Sequence, residues 1–156
     1  MITLALVRHA KSDWGAPQRS DHDRPLNARG LRDAPRMARR LAESGLRAEA
    51  ILSSTAVRAA TTADFFSEPF GVAVERQERL YAAPAPVLLR AAAERAAASV
   101  IVVAHDPGIS TLAADLSDGA IARMPTCAVA VFTWDESDWD VATALSPQRW
   151  TFETPR

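Results

Sequence analysis

The chain has 156 residues, of which 48% are hydrophobic and 24% charged, and its formal net charge is −1. These values are typical of a soluble globular protein, and the near-neutral charge argues against a general basic surface for nucleic acid. A chain of this length can bury a core of its own, so we expect residues 1–156 to form a single domain.

Cysteine usage and the N-terminus bear on the compartment. Cys127 is the only cysteine and cannot form an internal disulfide, which is typical of a reducing compartment. No stretch of the sequence is long and apolar enough to span a membrane, and the first strand begins without a basic region or a cleavage site. We therefore expect a cytoplasmic protein that does not bind membranes.

The chain opens with an apolar segment, Ile2 to Arg8, that predicts a strand buried on both faces. A polar segment without apolar periodicity follows from Lys11 to Pro25. Loops of this length in small domains are usually functional.

A helix is predicted next, with Asn27 as N-cap, an end near Ser44 and Gly45 as the stop. Pro35 should bend this helix or mark its true start. The predicted buried stripe consists of Leu31, Ala34, Met37, Ala38 and Leu41. The arginines Arg29, Arg32, Arg36, Arg39, Arg40 and Arg47 are interpreted as a solvated face rather than a binding patch, because acidic residues are interspersed among them.

Strands and helices then alternate along the chain. The predicted elements are a strand at 49–53, a helix capped by Ser54 or Thr55 and reaching Phe66, a strand at 72–75, an alanine-rich helix opened by Pro84 and Pro86, a strand at 100–104, and a helix from Pro107 to Leu116. The segments 128–134 and 139–145 alternate in polarity around a turn at 136–138, which predicts an antiparallel hairpin. The pattern indicates a three-layer α/β/α sandwich with a mainly parallel sheet and antiparallel additions.

Two arginines and two histidines fall at the predicted strand and helix ends. Arg8 and His9 end the first strand, His105 follows the strand at 100–104, and Arg58 lies in the first turn of a helix. In open α/β sheets, ligands bind at the edge formed by the carboxyl ends of the parallel strands. Arginine holds phosphate with several fixed donors, and the guanidinium charges disfavour protonation of a nearby imidazole. The sequence therefore predicts a phosphoryl site in which one histidine attacks and the other donates.

These residues carry a family resemblance. The segments Leu6-Val7-Arg8-His9-Ala10, Ser53-Ser54 with Arg58, and Val103-Ala104-His105 resemble the histidine phosphatase (phosphoglycerate-mutase-like) superfamily, and most closely its SixA-type phosphohistidine phosphatase branch. Branch-like strings stand at 8–12, 21–26 and 105–108. Two departures are Ala10, where the superfamily usually has glycine, and Asp106, where many SixA-like members have asparagine.

The resemblance implies a phosphoglycerate-mutase-like fold, with His9 as phosphoryl acceptor and Arg8, Arg58 and His105 forming the phosphate pocket. It also implies no metal, no organic cofactor, and a phosphorylated partner of the histidine-containing phosphotransfer type. Lys11 and Ser12 are either secondary anchors for substrate or solvated loop residues. Arg24, together with Trp14, either lines the mouth of the pocket or packs the loop.

The leaving group decides between substrates. An alkoxide needs a proton from a carboxylic acid, whereas an imidazole leaves readily because the pKa of its conjugate acid is ~6.5. The mutase-like glutamate is missing from the stretch 80–83, and Glu78 precedes that stretch. Asp106 is either such an acid or the cap of the helix beginning at Pro107, and in both cases it should raise the pKa of His105.

Three functions remain open at this point. The first is a phosphatase that hydrolyses phosphohistidine on a protein. The second is a phosphomonoesterase for a small metabolite, with Asp106 or Glu78 as general acid. The third is a phosphate-binding module without catalysis.

Overall fold

A mixed six-stranded sheet forms the centre of the molecule, which the computed structural model describes over residues 1–156. In chain order the elements are β1 (Ile2–Arg8), α1 (Ala28–Glu43), β2 (Ala50–Ser53), α2 (Val57–Phe70), β3 (Val74–Arg76), α3 (Ala85–Arg95), β4 (Ser99–Ala104), α4 (Gly108–Leu116), β5 (Val129–Trp134), α5 (Trp139–Thr143) and β6 (Arg149–Glu153). None of the helices combines the length and the apolar character needed to cross a bilayer.

The strand order is β3-β2-β4-β1-β5-β6. The first four strands of this order pair in parallel, whereas β5 and β6 add antiparallel strands at one side. The parallel register sets Arg8 beside Ala104 and Ser53 beside Val103. The chain segments that follow β1, β2 and β4 therefore leave the sheet at one edge.

Both faces of the sheet are covered, which explains the uninterrupted apolar run of β1. Leu4 and Leu6 pack into the core shared with α3 and α4, while Ala5 and Val7 pack into the core shared with α1 and α2. Successive side chains of a strand point to opposite faces, so a strand between two helical layers must be apolar throughout. The predicted α/β/α sandwich is confirmed.

Helix α1 begins and ends where its sequence predicts. The side chain of Asn27 accepts a hydrogen bond from the Gly30 amide at 2.9 Å, and Gly45 has a φ of 93°. Pro35 lies inside a continuous helix and does not mark its start. The prediction that Leu31 is buried was wrong, because it is 49% exposed and the buried residue of this turn is Gly30, which packs on the Lys11 carbonyl.

Two predicted caps were wrong. Helix α2 has Ala56 as its N-cap, without a side-chain bond, and it continues to Phe70. The Ser54 hydroxyl accepts from the Ala56 amide at 3.0 Å and also contacts His105. Helix α4 has Pro107 as its N-cap, again without a side-chain bond, because Asp106 contacts other side chains instead.

The predicted C-terminal hairpin was right in its first strand and wrong in its second. Residues 139–143 form α5, which Asp138 caps by accepting from the Asp140 amide at 2.8 Å. Trp139 and Ala142 are buried three positions apart, and the Trp139 indole donates to the Ala97 carbonyl at 2.7 Å. The strand that returns antiparallel beside β5 is β6.

Candidate active site

A cleft of about 190 Å³ opens where β1, β2 and β4 end. This histidine cleft is lined by Arg8, His9, Lys11, Ser12, Trp14, Arg24, Arg58, His105, Asp106 and Thr126. The eight residues predicted as catalytic or substrate-binding all lie in it. Glu78 does not line the cleft, and it is exposed to solvent.

The backbone after β1 fixes the His9 ring. The His9 amide donates to the Ala104 carbonyl at 3.0 Å, which continues the pairing of β1 with β4. In the ring, Nδ1 lies 2.8 Å from the Ala10 carbonyl oxygen. A carbonyl only accepts, so Nδ1 carries the proton of the neutral ring and Nε2 keeps its lone pair.

His9 is held in its neutral form. Burial lowers the pKa of His9 to about 4, and the positive charges of Arg58, Arg8 and Arg24 add to this effect against the Ala10 hydrogen bond. The sequence predicts correctly that the guanidinium charges lower the pKa of His9, although burial is the larger cause of the shift. At neutral pH the Nε2 lone pair is therefore available for bonding.

The second imidazole faces the first. The ring centroids of His9 and His105 lie 5.0 Å apart, and His105 Nε2 lies 2.7 Å from the Ser54 hydroxyl oxygen. That oxygen already accepts a hydrogen bond from the Ala56 amide, so the Ser54 hydroxyl donates its proton to Nε2. The proton of the neutral His105 ring then sits on Nδ1, which is buried without a hydrogen-bond partner.

The predicted rise in the pKa of His105 was wrong. Burial lowers that pKa to about 3, and the His9 and Arg58 charges lower it further. The carboxylate that opposes this shift is Asp21, not Asp106. Asp106 contacts Arg8 Nη1 at 3.4 Å through one oxygen and accepts from the Ser110 hydroxyl through the other.

Both arginines are oriented through part of the guanidinium and leave another part unpartnered. Arg8 Nη1 donates to the Met124 carbonyl at 2.9 Å, and Arg58 Nη1 donates to the Asp21 carbonyl at 2.6 Å. The Nε atoms of Arg8 and Arg58 are buried without partners, as is His105 Nδ1. Buried donors normally have an acceptor, and all three belong to residues that line this cleft, so the cleft suits an oxyanion.

Asp21 organises this side of the cleft and was missed in the sequence. Its carboxylate accepts from Arg58 Nη2 at 3.0 Å, from the Tyr81 hydroxyl at 2.6 Å and from Arg24 Nε at 3.2 Å. The Tyr81 hydrogen bond, followed by that of Arg58, lowers the pKa of Asp21 to about 2. The family-like string at 21–26 includes Asp21, but no local sequence pattern indicates that the 3₁₀ turn at 21–23 contacts α2.

The mouth of the cleft is built by the loop after β1. Arg24 Nη1 donates to the Ser12 hydroxyl at 2.8 Å, and its guanidinium lies 3.4 Å from the centre of the Trp14 ring. His22 lies in the same loop and is partly buried. Its Nε2 lies 2.9 Å from the Thr55 hydroxyl, and its ring packs against the edge of Tyr81.

Comparison with known proteins gives the class of protein. The model of the histidine phosphatase superfamily (branch 1) matches residues 4–82. An uncharacterized chloroplastic protein of Arabidopsis thaliana is 30% identical over 164 residues, which cover 96% of this chain and 75% of that protein. The chain belongs to the histidine phosphatase superfamily.

Two solved structures narrow the similarity to one branch. A candidate phosphohistidine phosphatase SixA from Agrobacterium tumefaciens superposes with a TM-score of 0.81 at 27% identity, covering 99% of both chains. The protein histidine phosphatase SixA in complex with tungstate superposes with a TM-score of 0.75 at 26% identity, covering 98% of this chain and 95% of that one. Family and neighbours together support phosphatase activity.

Proposed function

We propose that the protein hydrolyses phosphohistidine carried by another protein, through a phosphohistidine intermediate on His9 and without a metal ion. The observation that carries the proposal is the combination of a neutral imidazole lone pair, three unpartnered buried donors and no free carboxyl group in one cleft. Phosphoryl transfer depends mainly on positioning and on stabilising charge at the phosphoryl oxygens. This cleft offers both.

In the first step His9 Nε2 attacks phosphorus. The Nε2–P bond forms, the P–N bond of the substrate breaks, and its electron pair leaves with the substrate imidazole, which takes a proton from solvent. The hydrogen bond from Nδ1–H to the Ala10 carbonyl oxygen keeps the His9 ring oriented while the bond between Nε2 and phosphorus forms. Arg8, Arg58 and His105 donate to the phosphoryl oxygens during this transfer.

In the second step water attacks the phosphoryl group on His9. An O–P bond forms, the Nε2–P bond breaks, and the electron pair returns to Nε2. One proton of the water stays on the attacking oxygen and the other moves to a phosphoryl oxygen, so both leave with the departing phosphate. The low pKa of His9 favours this step, because the ring that is released is stable as the neutral base.

The carboxyl groups of the site favour a P–N over a P–O substrate. Asp106 is the only carboxyl residue that lines the cleft, and Arg8 and Ser110 engage its two oxygens. An ester needs a protonated acid for its leaving alkoxide, whereas an imidazole does not. The tungstate bound by the SixA relative supports the binding of an oxyanion by this chain.

A phosphomonoesterase is the second candidate, because Asp106 does line the cleft. If its contacts with Arg8 and Ser110 rearranged around an ester, Asp106 could supply the proton. The Asp106→Asn variant separates the two candidates. Under the main proposal the variant keeps the native rates on phosphohistidine and on any ester, whereas a loss of ester hydrolysis beside unchanged phosphohistidine hydrolysis would favour the second.

The decisive experiment is rapid quenching with a peptide carrying ³²P-phosphohistidine. We expect a label on the protein that is labile in acid and stable in base, that is absent from His9→Ala, and whose turnover is unchanged by EDTA. Aryl and sugar phosphates are compared as ester substrates. Binding without label or turnover would instead indicate a phosphate-binding module.

A further inference from the structure

A second polar cleft lies beside the histidine cleft. It has a volume of about 350 Å³, its lining consists of four arginines, one aspartate, two threonines and two prolines, and it shares Thr126 with the histidine cleft. Arg29, Arg32 and Arg36 of α1 form one side, and Arg156 contributes from the C-terminus. These four arginines define the arginine cleft.

The positive charge of the arginine cleft is mostly uncompensated. Arg29 pairs with Asp33 at 3.5 Å, the one acidic residue of the lining. Arg32, Arg36 and Arg156 are exposed and form neither an ion pair nor a side-chain hydrogen bond. Arg32 and Arg36 are four positions apart on one helix, where like charges repel.

Exposed arginines at the β3 side of the sheet behave differently. Arg76 pairs with Asp64 at 3.2 Å, Arg79 with Glu94 at 2.8 Å, and Arg95 with Glu75 at 2.9 Å. Pairing within the chain is therefore common in this fold. At the arginine cleft the chain supplies repelling cations instead, although its net charge is −1.

The chemistry of the lining defines what it fits. A guanidinium offers a planar fork that matches a carboxylate, and the only apolar residues of the lining, Pro125 and Pro155, give an apolar partner little to bury against. The phosphoryl group itself is bound by Arg8 and Arg58 under the proposed function. The arginine cleft adjoins that site at Thr126, so its arginines are placed to meet other anions of the same substrate.

We propose that the arginine cleft docks acidic side chains that neighbour the phosphohistidine of a protein substrate. This inference rests on the proposed function and adds a substrate preference to it. A cluster of charges of one sign next to the histidine cleft raises the association rate of an oppositely charged partner and orients that partner. The protein substrate is thus one whose phosphohistidine lies on an acidic surface.

The test compares two phosphohistidine peptides of equal length, one flanked by aspartate and glutamate and the other by glutamine and serine. We expect the native protein to prefer the acidic peptide in kcat/KM, through KM, and to lose this preference as salt is added. The double variant R32E/R36E should lower the ratio of the two kcat/KM values about tenfold, since each attraction becomes a repulsion.

The matched control is R47E/R90E, which makes the same change in net charge at two exposed, unpaired arginines that do not line the arginine cleft. We expect it to leave the ratio unchanged. An equal fall of the ratio in both double variants, or no fall in R32E/R36E, would overturn the proposal.

A binding measurement keeps the two proposals separable. Fluorescence anisotropy of the acidic peptide with unphosphorylated histidine should give weaker binding to R32E/R36E than to R47E/R90E, whether or not the chain turns over phosphohistidine. A single-stranded oligonucleotide is the competing polyanion. If it binds as tightly as the acidic peptide and with the same dependence on Arg32 and Arg36, the cleft is a nucleic-acid surface and the proposal is wrong.

Discussion

The two ends of the sheet differ in size and in chemistry. At the amino end of β1 and β4 lies a groove of about 540 Å³, against about 190 Å³ for the histidine cleft at the carboxyl end. Met37, Leu41 and Val131 contribute to this amino-end groove, and its Arg40 already donates to the Thr154 carbonyl at 3.1 Å. The charged side chains of this groove are only Arg40, Arg47 and Glu153, fewer than in the smaller histidine cleft, so the larger cavity has less to offer a charged ligand.

The difference follows from how parallel strands are connected. The carboxyl ends of β1, β2 and β4 lie side by side, so residues that come next in the chain meet even when they are far apart in sequence. His9, Arg58 and His105 meet in this way. Convergent polar groups, and not cavity volume, are the reason for placing the proposed chemistry at the carboxyl end.

The largest expected effect is that of His9→Ala. Removing the Nε2 lone pair removes the nucleophile, so kcat for phosphohistidine hydrolysis should fall about 10⁴-fold or more. Circular dichroism and thermal unfolding check that the variant is folded. A folded variant that keeps a tenth of the native rate would show that the histidine cleft does not act through His9.

Asp21→Asn should have the next largest effect. The carboxylate orients Arg58 through Nη2, and its loss should lower kcat/KM about 10- to 100-fold, because Arg58 then meets the transition state in a poorer position. Asp23→Asn is the matched control, since Asp23 lies in the same 3₁₀ turn and does not contact Arg58. We therefore expect Asp21 to act as a positioning residue.

The readout for Asp21 is the division of the loss between kcat and KM. A positioning role predicts a fall in kcat, with little change in the thermal midpoint. An Asp21→Asn variant that loses stability and recovers native kcat at low temperature would indicate a structural role instead. Equal losses in Asp21→Asn and Asp23→Asn would have the same meaning.

The buried imidazoles predict a pH dependence of stability. The pKa of His9 is lowered from 6.5 to about 4 and that of His105 to about 3, so the unfolded chain binds more protons than the folded chain below about pH 6.5. The free energy of unfolding should be highest above that pH and fall as the pH is lowered toward about 4.

Urea unfolding at a series of pH values measures this fall, and the titration of the His9 ring by NMR measures its cause. We expect the ring to titrate near pH 4. In His9→Gln the decline of stability with acid should be smaller than in the native chain. A His9 midpoint near the ordinary value of ~6.5 would remove the basis of the neutral nucleophile.

The same comparison of regions explains what the sequence predicts. The parallel strands are buried on both faces, so their apolar runs can be recognised in the sequence. The residues at or after the ends of these strands include Arg8, His9, Arg58 and His105. The end of the chain is less regular. Alternation over 139–145 imitates a strand, but α5 forms because Asp138 caps it and Trp139 packs against Trp134.

The roles of single polar residues depend on contacts between distant elements. Ser54 and Asp106 are residue types that favour caps, yet Ser54 contacts His105 and Asp106 contacts Arg8. Asp21 stands in a polar loop, and its importance arises only when that loop contacts α2. Local patterns carry no information on such pairings.

The smallest effect on activity is expected at the amino-end groove. Leu41 lines it and is 6% exposed, so Leu41→Ala should cost about 2 kcal/mol of stability through lost burial and a widened cavity. It should leave kcat/KM within about twofold, because stability and chemistry are separable at distant sites.

Leu31→Ala on the same helix is the control, since Leu31 is 49% exposed and should change stability by less than about 0.5 kcal/mol. Urea unfolding and phosphohistidine hydrolysis on the same samples provide both readouts. A folded Leu41→Ala variant with a strongly reduced kcat would mean that the two ends of the sheet are coupled, and the contrast between them would no longer hold.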